Sequence, residues 1–239
     1  MSFSGPLQLS AQAINTTNAT KQHPLGTKAE TPDGRTYRYA RAGGVALVAG
    51  NLQVAPTVTP NHVNIVVAAA AAIGATTVTA TLGATLAAVN FYSEGYMVVN
   101  DAVGEGISYK IVGHPAVASA GVITLTLAEP LIVALTVASE ISLVQNPYDL
   151  VVISVTDQLD QPVGVATTAV PINDYCWLQT GGICSVLADE AFAIAQSLTI
   201  GTGLAGAVEA NDAAGEMEVG IANQAAADTE NRAVFLTMD

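Results

Sequence analysis

The chain has 239 residues, 51% of them hydrophobic but only 5% aromatic and 11% charged, and a formal net charge of −13. That length holds one large β domain or two small ones, and a charged fraction so far below the usual quarter marks a chain that hides surface in an assembly. The acidity excludes nucleic acid and anionic membrane surfaces as partners.

Residues 1–34 read as irregular, because Pro6, Pro24 and Pro32 with Gly26 and Gly34 prevent a long helix. Leu7, Leu9, Ala11 and Ala13 alternate with polar neighbours, which fits a short strand. Two readings stay open here: an arm that orders by adding to another chain's sheet, or a disordered terminus. Lys21, Lys28, Arg35, Arg38 and Arg41 are five of the seven basic residues, opposed before residue 42 only by Glu30 and Asp33. This excess is too small and too dispersed for a nucleic-acid arm.

Residues 35–56, RTYRYARAGGVALVAGNLQVAP, form the joint of the chain. Tyr37 and Tyr39 alternate with Arg38 and Arg41 at the period of a strand. Gly43-Gly44 breaks that pattern, and Val45, Leu47 and Leu52 resume it around the turn signal Gly50-Asn51. The reading is a cationic extended arm ahead of a β body.

The stretch 57–75 is ambiguous. Val63, Ile65, Val66 and Val67 favour a strand and the run Ala68 to Ala72 a helix; strand is the expectation. From 76 to 148 the alternation is clear: TTVTATL, VITLTL, and a hairpin of YMVVN and ISYKIVG around the loop NDAVGEG. Short strands at regular spacing predict a small barrel or sandwich. The last third adds VVISVTD, VGVATT, YCWLQT, SLTIG, EVGIA and RAVFLTM, with Gly181-Gly182 turning the chain and one or two helical turns within 188–196.

The expected fold is therefore all-β: an extended N-terminal arm (1–41), a small barrel or sandwich body (42–60 plus 147–239) and an inserted second β lobe (61–146). The opening MSFSGPLQLS lacks the features of a secretory leader, and the longest apolar run, 65–75, is about half a membrane span. Both predict synthesis in a cytoplasm, use without export and no membrane partner.

No motif carries catalytic, metal or cofactor chemistry, so the expectation is a non-enzyme with no cofactor. GTGLAG (201–206) matches the dinucleotide fingerprint, but no amphipathic helix follows and no βαβ unit surrounds it; it reads as a glycine-rich β turn. Cys176 and Cys184 have neither zinc spacing nor the hairpin register for a disulfide, and read as two buried thiols. His23, His62 and His114 are scattered. Asp101 and Glu105 share one loop but lack calcium-loop spacing. Trp177, the only tryptophan, reads by default as core and in a sharper alternative as an interface anchor.

Two segments carry a resemblance. AGGVALVAGNLQV is similar to the start of the small β domain in head decoration proteins of tailed phages, and VGIANQAAADTENRAVFLTM resembles the end of such proteins; WLQTGGICSVLAD suits the same body. The resemblance implies a cement protein on the outer surface of an icosahedral capsid, made in the host cytoplasm, clamping neighbouring copies of the major capsid protein, often as a homotrimer. Arg35, Arg38 and Arg41 would then meet capsid carboxylates while Tyr37 and Tyr39 cover the seam. The alternative reading is a receptor- or glycan-binding module of a phage fibre or spike, with 61–146 as the recognition lobe. A hydrolase built from His114 and Asp101 has no local support.

Overall fold

Alternation in the sequence becomes alternation in burial. In Thr77–Thr81 the buried residues are Val78 and Ala80, and in Val122–Leu127 they are Ile123, Leu125 and Leu127, with threonines on the other face. The computed structural model describes residues 5–156, 158 and 160–239, and the fold is all-β. One compact unit takes the chain up to Pro56 and again from Pro147; the other is Thr57–Asn146.

Up to Pro56 the chain forms β1 (Leu7–Gln8), β2 (Lys28–Glu30), β3 (Thr36–Arg41) and β4 (Leu52–Val54). The second unit forms β5 (Ile65–Val66), β6 (Thr77–Thr81), β7 (Tyr96–Asp101), β8 (Ser108–Gly113), β9 (Val122–Leu127) and β10 (Glu140–Val144). After Pro147 come β11 (Val152–Ile153), β12 (Pro162–Ala166), β13 (Tyr175–Leu187), β14 (Ser197–Ile200), β15 (Val208–Ala210), β16 (Gly220–Ala222) and β17 (Asn231–Thr237).

The second unit is an antiparallel sheet in the order β5-β10-β7-β8-β9-β6. A bridge between Val67 and Ala80, with the Ala68 amide on the Thr79 carbonyl at 2.8 Å, joins its two edges into a barrel. Val78, Met97, Ile111, Ile123, Leu125 and Ile141 fill it. The alanine run 68–72 forms no helix: pairing to β6 and to Leu135 outweighs its helix propensity.

In the first unit β13 is the axis. Its first half pairs with β3, from Tyr175↔Arg41 to Gly181↔Thr36, and its second half with β17, from Gly181↔Thr237 to Leu187↔Asn231. The exchange of partners falls at Gly181-Gly182, which the sequence reading takes for a turn. The correction has a steric cause. The register shifts between Gln179 and Gly181, Gly182 sits at φ 79°, and a Cβ on Gly181 would lie 2.3 Å from Thr36 Oγ1. The glycines let one strand bend between two partners instead of reversing it.

Each half of β13 walls a core. Strands β3, β11, β4 and β12 join its first half around Ala40, Leu47, Val163, Cys176 and Leu178, closed by the bridge Ala42↔Val151. Strands β17, β16, β14 and β15 join its second half around Val186, Leu198, Ile200 and Val234, closed by the bridge Ala188↔Val208. The expected helical turns within 188–196 are absent, because Phe192 bridges to Ala226 and ties that stretch into the sheet.

The stretch read as an arm is corrected here. Residues 28–30 and 36–41 are β2 and β3, inside the body sheet, with Tyr37 and Tyr39 at most 1% exposed. Tyrosine alternating with arginine is equally the pattern of a free arm and of a half-buried strand. The pairing partner that decides between them, β13, lies about 140 residues away.

Eight turns among the described residues share one geometry. Each centres on a residue bridged to its counterpart in another turn: Leu47 with Val170, Ala71 with Leu135, Ala87 with Val117, and Phe192 with Ala226. Three residues on, seven of them enter the left-handed region, at Gly50, Gly74, Asn90, Ala120, Asn173, Ala195 and Thr229. In the first pair Leu47 and Val170 exchange amide–carbonyl bonds of 2.9 and 3.0 Å, the Gly50 amide donates to Ala166 (2.8 Å), and the Asn173 amide donates to Gly43 (3.2 Å). Two turns clasped in this way are related by an approximate two-fold. Two such clasps stand in each unit.

Candidate functional site

The residues expected to reach a partner are mostly engaged at home. Arg38 donates from Nε and Nη2 to the two carboxylate oxygens of Asp239, at 2.8 and 2.6 Å, and from Nη1 to the Gly26 carbonyl. Arg41 forms the same two-pronged pair with Asp149, at 2.6 and 3.0 Å. Tyr37 and Tyr39 face a core with Leu9, Ile14 and Ala29. Arg35 Nε donates to Asp33 at 2.8 Å, and its guanidinium lies 5.9 Å from the centroid of the Tyr37 ring.

Trp177 is 5% exposed and packs against Tyr39 (centroids 5.0 Å apart) and His23 (5.4 Å), with Tyr175 stacked on Tyr39. It anchors a core, not an interface; the scarcity of aromatics in this sequence drew attention to a residue whose partners are internal. Cys176 and Cys184 are free thiols in separate cores, and burial pushes both pKa values up to about 12. Neither is a nucleophile at neutral pH.

His62 and His114 flank Tyr92 inside the second barrel. The Tyr92 hydroxyl bonds His62 Nδ1, His62 Nε2 meets the Thr85 carbonyl at 2.9 Å, and His114 Nε2 accepts the Tyr92 amide at 3.0 Å. His114 Nδ1 donates to the Pro115 carbonyl at 2.8 Å. The two His114 bonds need a neutral ring, and burial holds the His114 pKa below its ordinary value. Asp101, the other member of the hydrolase idea, lies exposed and accepts from the next residue's amide. Both rings are thus tied to Tyr92 and to backbone carbonyls of the second unit.

The GTGLAG loop joins β14 to β15, and its Thr202 and Gly203 donors are already occupied. Glu209 accepts from the amide and hydroxyl of Thr202, both at 2.9 Å, and Asp189 accepts from the Gly203 amide at 2.6 Å. A carboxylate sits where a dinucleotide phosphate would. Burial and the adjacent Asp189 carboxyl raise the Glu209 pKa, against the Thr202 bonds that lower it. Among the described residues no group of three or more His, Cys, Asp or Glu is placed to hold a metal, and no helix is long and apolar enough to cross a membrane.

What stands out instead is aliphatic side chain in water. Two residues past the bridging position, five of the eight turns carry Ile73, Val89, Val137, Ile172 or Ile194, each more than half exposed. Val45 and Val48 add to the Leu47 turn, Leu86 to the Ala87 turn and Ile132 to the Leu135 turn, again more than half exposed. The bridging residues are buried or half-buried, and the turn that follows each carries these side chains into solvent. Sequence reading missed this set. The available signal was the repeated turn itself: alanine stands immediately before the bridging residue in seven of the eight turns, at 46, 70, 116, 134, 169, 191 and 225.

No family model, curated protein or solved structure matches this chain.

Proposed function

We propose that this chain is a structural virion protein that binds the outer surface of an icosahedral phage capsid and stabilises it by bridging neighbouring major capsid protein subunits. The observation that carries the reading is the set of exposed Val, Ile and Leu side chains on the clasp turns. Isolated exposed aliphatics are ordinary on a protein surface. Recurrence at one position of a repeated turn is not, and such residues gain free energy only when a partner covers them, at about 25 cal/mol per Å² of apolar area. The resemblance of residues 42–54 and 219–238 to head decoration proteins supports the same reading, since both segments contain a clasp turn.

The contact surface moves accordingly from the arm to the turns. Rigid clasps on closed barrels hold their tips in place before binding, so little ordering entropy opposes contact. Repetition over the many equivalent positions of a shell adds avidity. The site needs no cofactor, and the acidic surface keeps a protein with so many exposed aliphatics soluble before it docks.

The test mixes purified protein with undecorated shells of the parent virus and counts bound copies after sedimentation. Saturation at a fixed number per shell, lost in a variant carrying Val48→Ser and Ile172→Ser or one carrying Ile73→Ser and Ile132→Ser, supports cement. Failure of the wild type to bind sinks the reading and leaves the fibre or spike module, to be probed with residues 57–146 on cells and glycans.

A further inference from the structure

Beside the GTGLAG loop, register lines up three oxygen-bearing side chains. Ala188 and Val208 bridge to each other and both belong to the core, so Asp189 and Glu209, the residues that follow them, share the opposite face. The Asp189 amide donates to the Val208 carbonyl at 2.8 Å, and the two carboxyls adjoin. On the other side of Glu209 its direct register partner on β14 is Thr199, whose neighbours Leu198 and Ile200 belong to the same core. The row therefore runs Asp189, Glu209, Thr199 across three adjacent segments, at roughly 4.8 Å spacing.

What singles out this row is an orphaned hydroxyl. Thr199 is 0% exposed, and its Oγ1 meets no hydrogen-bond partner among the described residues. A hydroxyl taken out of water and left unpaired is costly, and this one shares a face with the carboxylate of its register partner. Nor do the carboxylates have a counter-charge: neither forms an ion pair with Lys, Arg or His among the described residues. Their hydrogen bonds leave oxygen lone pairs open. Glu209 Oε1 accepts only from Gln158 Nε2, at 3.0 Å, and Asp189 takes its one amide, that of Gly203, on Oδ2. Two glycines of the loop press against that carboxylate. A Cβ on Gly201 would lie 2.9 Å from Asp189 Oδ2, and one on Gly203 3.0 Å from Oδ1.

We propose that Asp189, Glu209 and Thr199 hold a calcium ion, the two carboxylates supplying the charge and the hydroxyl a neutral oxygen. The donors are all hard oxygens with no imidazole or thiolate, which selects calcium or magnesium over zinc. Ligands drawn from three separate segments, with water completing the shell, suit the irregular coordination of calcium better than the strict octahedron of magnesium. The ion neutralises two adjoining like charges and gives Thr199 Oγ1 the partner it lacks. A proton shared by the two carboxyls would do the first and not the second. With only two acids the site falls short of a cluster of three charged or imidazole ligands, and the hydroxyl makes the third. Its place is structural: it spans the seam that the Ala188↔Val208 bridge closes and ties β14 and β15 to the stretch after β13. The inference goes beyond the capsid reading and does not depend on it.

The experiment is a calorimetric titration of CaCl2 into the full chain after treatment with EDTA, paired with thermal melts in calcium and in EDTA. The expected result is one site per chain with a Kd on the order of 10⁻⁴–10⁻³ M, since two carboxylates are few for calcium, and a higher melting temperature with the ion. Asp189→Asn and Glu209→Gln each abolish the binding. Thr199→Val weakens it on the order of tenfold, and because it deletes an unpaired hydroxyl at nearly constant shape it melts no lower than the wild type in EDTA. Glu190→Gln, which removes the same charge from the exposed neighbour, leaves binding unchanged. No heat and no melting shift up to about 10 mM calcium, binding indifferent to Thr199→Val, or binding that Glu190→Gln lowers as much as Glu209→Gln each overturns the inference. So does a melting temperature that follows the protonation of Glu209 and ignores calcium, which assigns the pair to a shared proton.

Discussion

Arg38 and Asp239 are joined by two parallel hydrogen bonds, Nε to Oδ2 at 2.8 Å and Nη2 to Oδ1 at 2.6 Å, across 201 positions of sequence. Thr180 Oγ1 also donates to Asp239, and Lys28 Nζ lies 3.8 Å away. Burial pushes the Asp239 pKa up, but the Arg38 bonds and charge, with Thr180 and Lys28, outweigh it and hold the value below 3.8. A depressed carboxyl stabilises the fold above its unfolded pKa and loses that contribution as pH falls through the folded value. Asp239→Asn should flatten the acid limb of the melting profile, and Arg38→Ala should cost about 1–2 kcal/mol at neutral pH, with the difference shrinking in acid to what the bond to the Gly26 carbonyl contributes. Thermal melts across pH on both variants check this.

Removing residues 1–41 should unfold the body. The deletion takes β3 from the first half of β13 and strips Tyr37 and Tyr39 from their core. Tyr37→Ala alone should cost about 3–5 kcal/mol, read by urea titration. A truncated chain that still melts cooperatively with native β-sheet dichroism would restore the arm reading.

The clasps make opposite predictions at equivalent positions. Gly50 sits at φ 85° with a would-be Cβ 2.4 Å from Asn231 Oδ1, so Gly50→Ala should destabilise by about 1–2 kcal/mol. Ala120 and Ala195 hold φ of 56° and 65° with a side chain already in place. Ala120→Gly and Ala195→Gly relieve that strain and should stabilise by up to about 1 kcal/mol, less the entropy that glycine adds to the unfolded chain. Chemical denaturation of the three variants decides it.

His114 should act as an acid-side weak point of the second unit. Its folded pKa is depressed from 6.5 by burial, so the unfolded chain binds the proton first. Its contribution is complete above 6.5 and is lost as pH falls below it. The segment Thr57–Asn146, a closed barrel with its own core, should fold alone and lose melting temperature over that range. Imidazole proton resonances that titrate near 6.5 in the folded segment would refute the depressed value.

Within that barrel, Leu125→Ala or Ile141→Ala should cost about 2–5 kcal/mol, since both side chains are fully buried. Chemical denaturation of both variants checks this.

The sequence by itself determined the class. Alternation in TTVTATL and VITLTL, glycine and asparagine between short apolar runs, and the absence of long amphipathic periods leave all-β as the outcome, because side-chain direction in a strand is set locally at period two. It also determined that the cysteines are buried thiols and that GTGLAG is a β turn. What it left undecided is which strand each strand pairs with. Arg35, Tyr37, Arg38, Tyr39 and Arg41 look the same locally on a free arm and on a sheet strand; β13 makes them a sheet strand, and Asp239 and Asp149 close two of the arginines. Gly181-Gly182 looks like a hairpin turn until β3 and β17 compete for one long strand. The clasps carry a local signature, alanine before the bridge and a left-handed residue after it, but that signature acquires meaning only from the second turn it bridges to, up to about 120 residues away. Register partners such as Ile183, Phe235 and Ile221 are brought into one row by hydrogen bonds between distant segments. Those long-range pairings close the barrels, and with them they choose which aliphatic side chains are core and which are left in water.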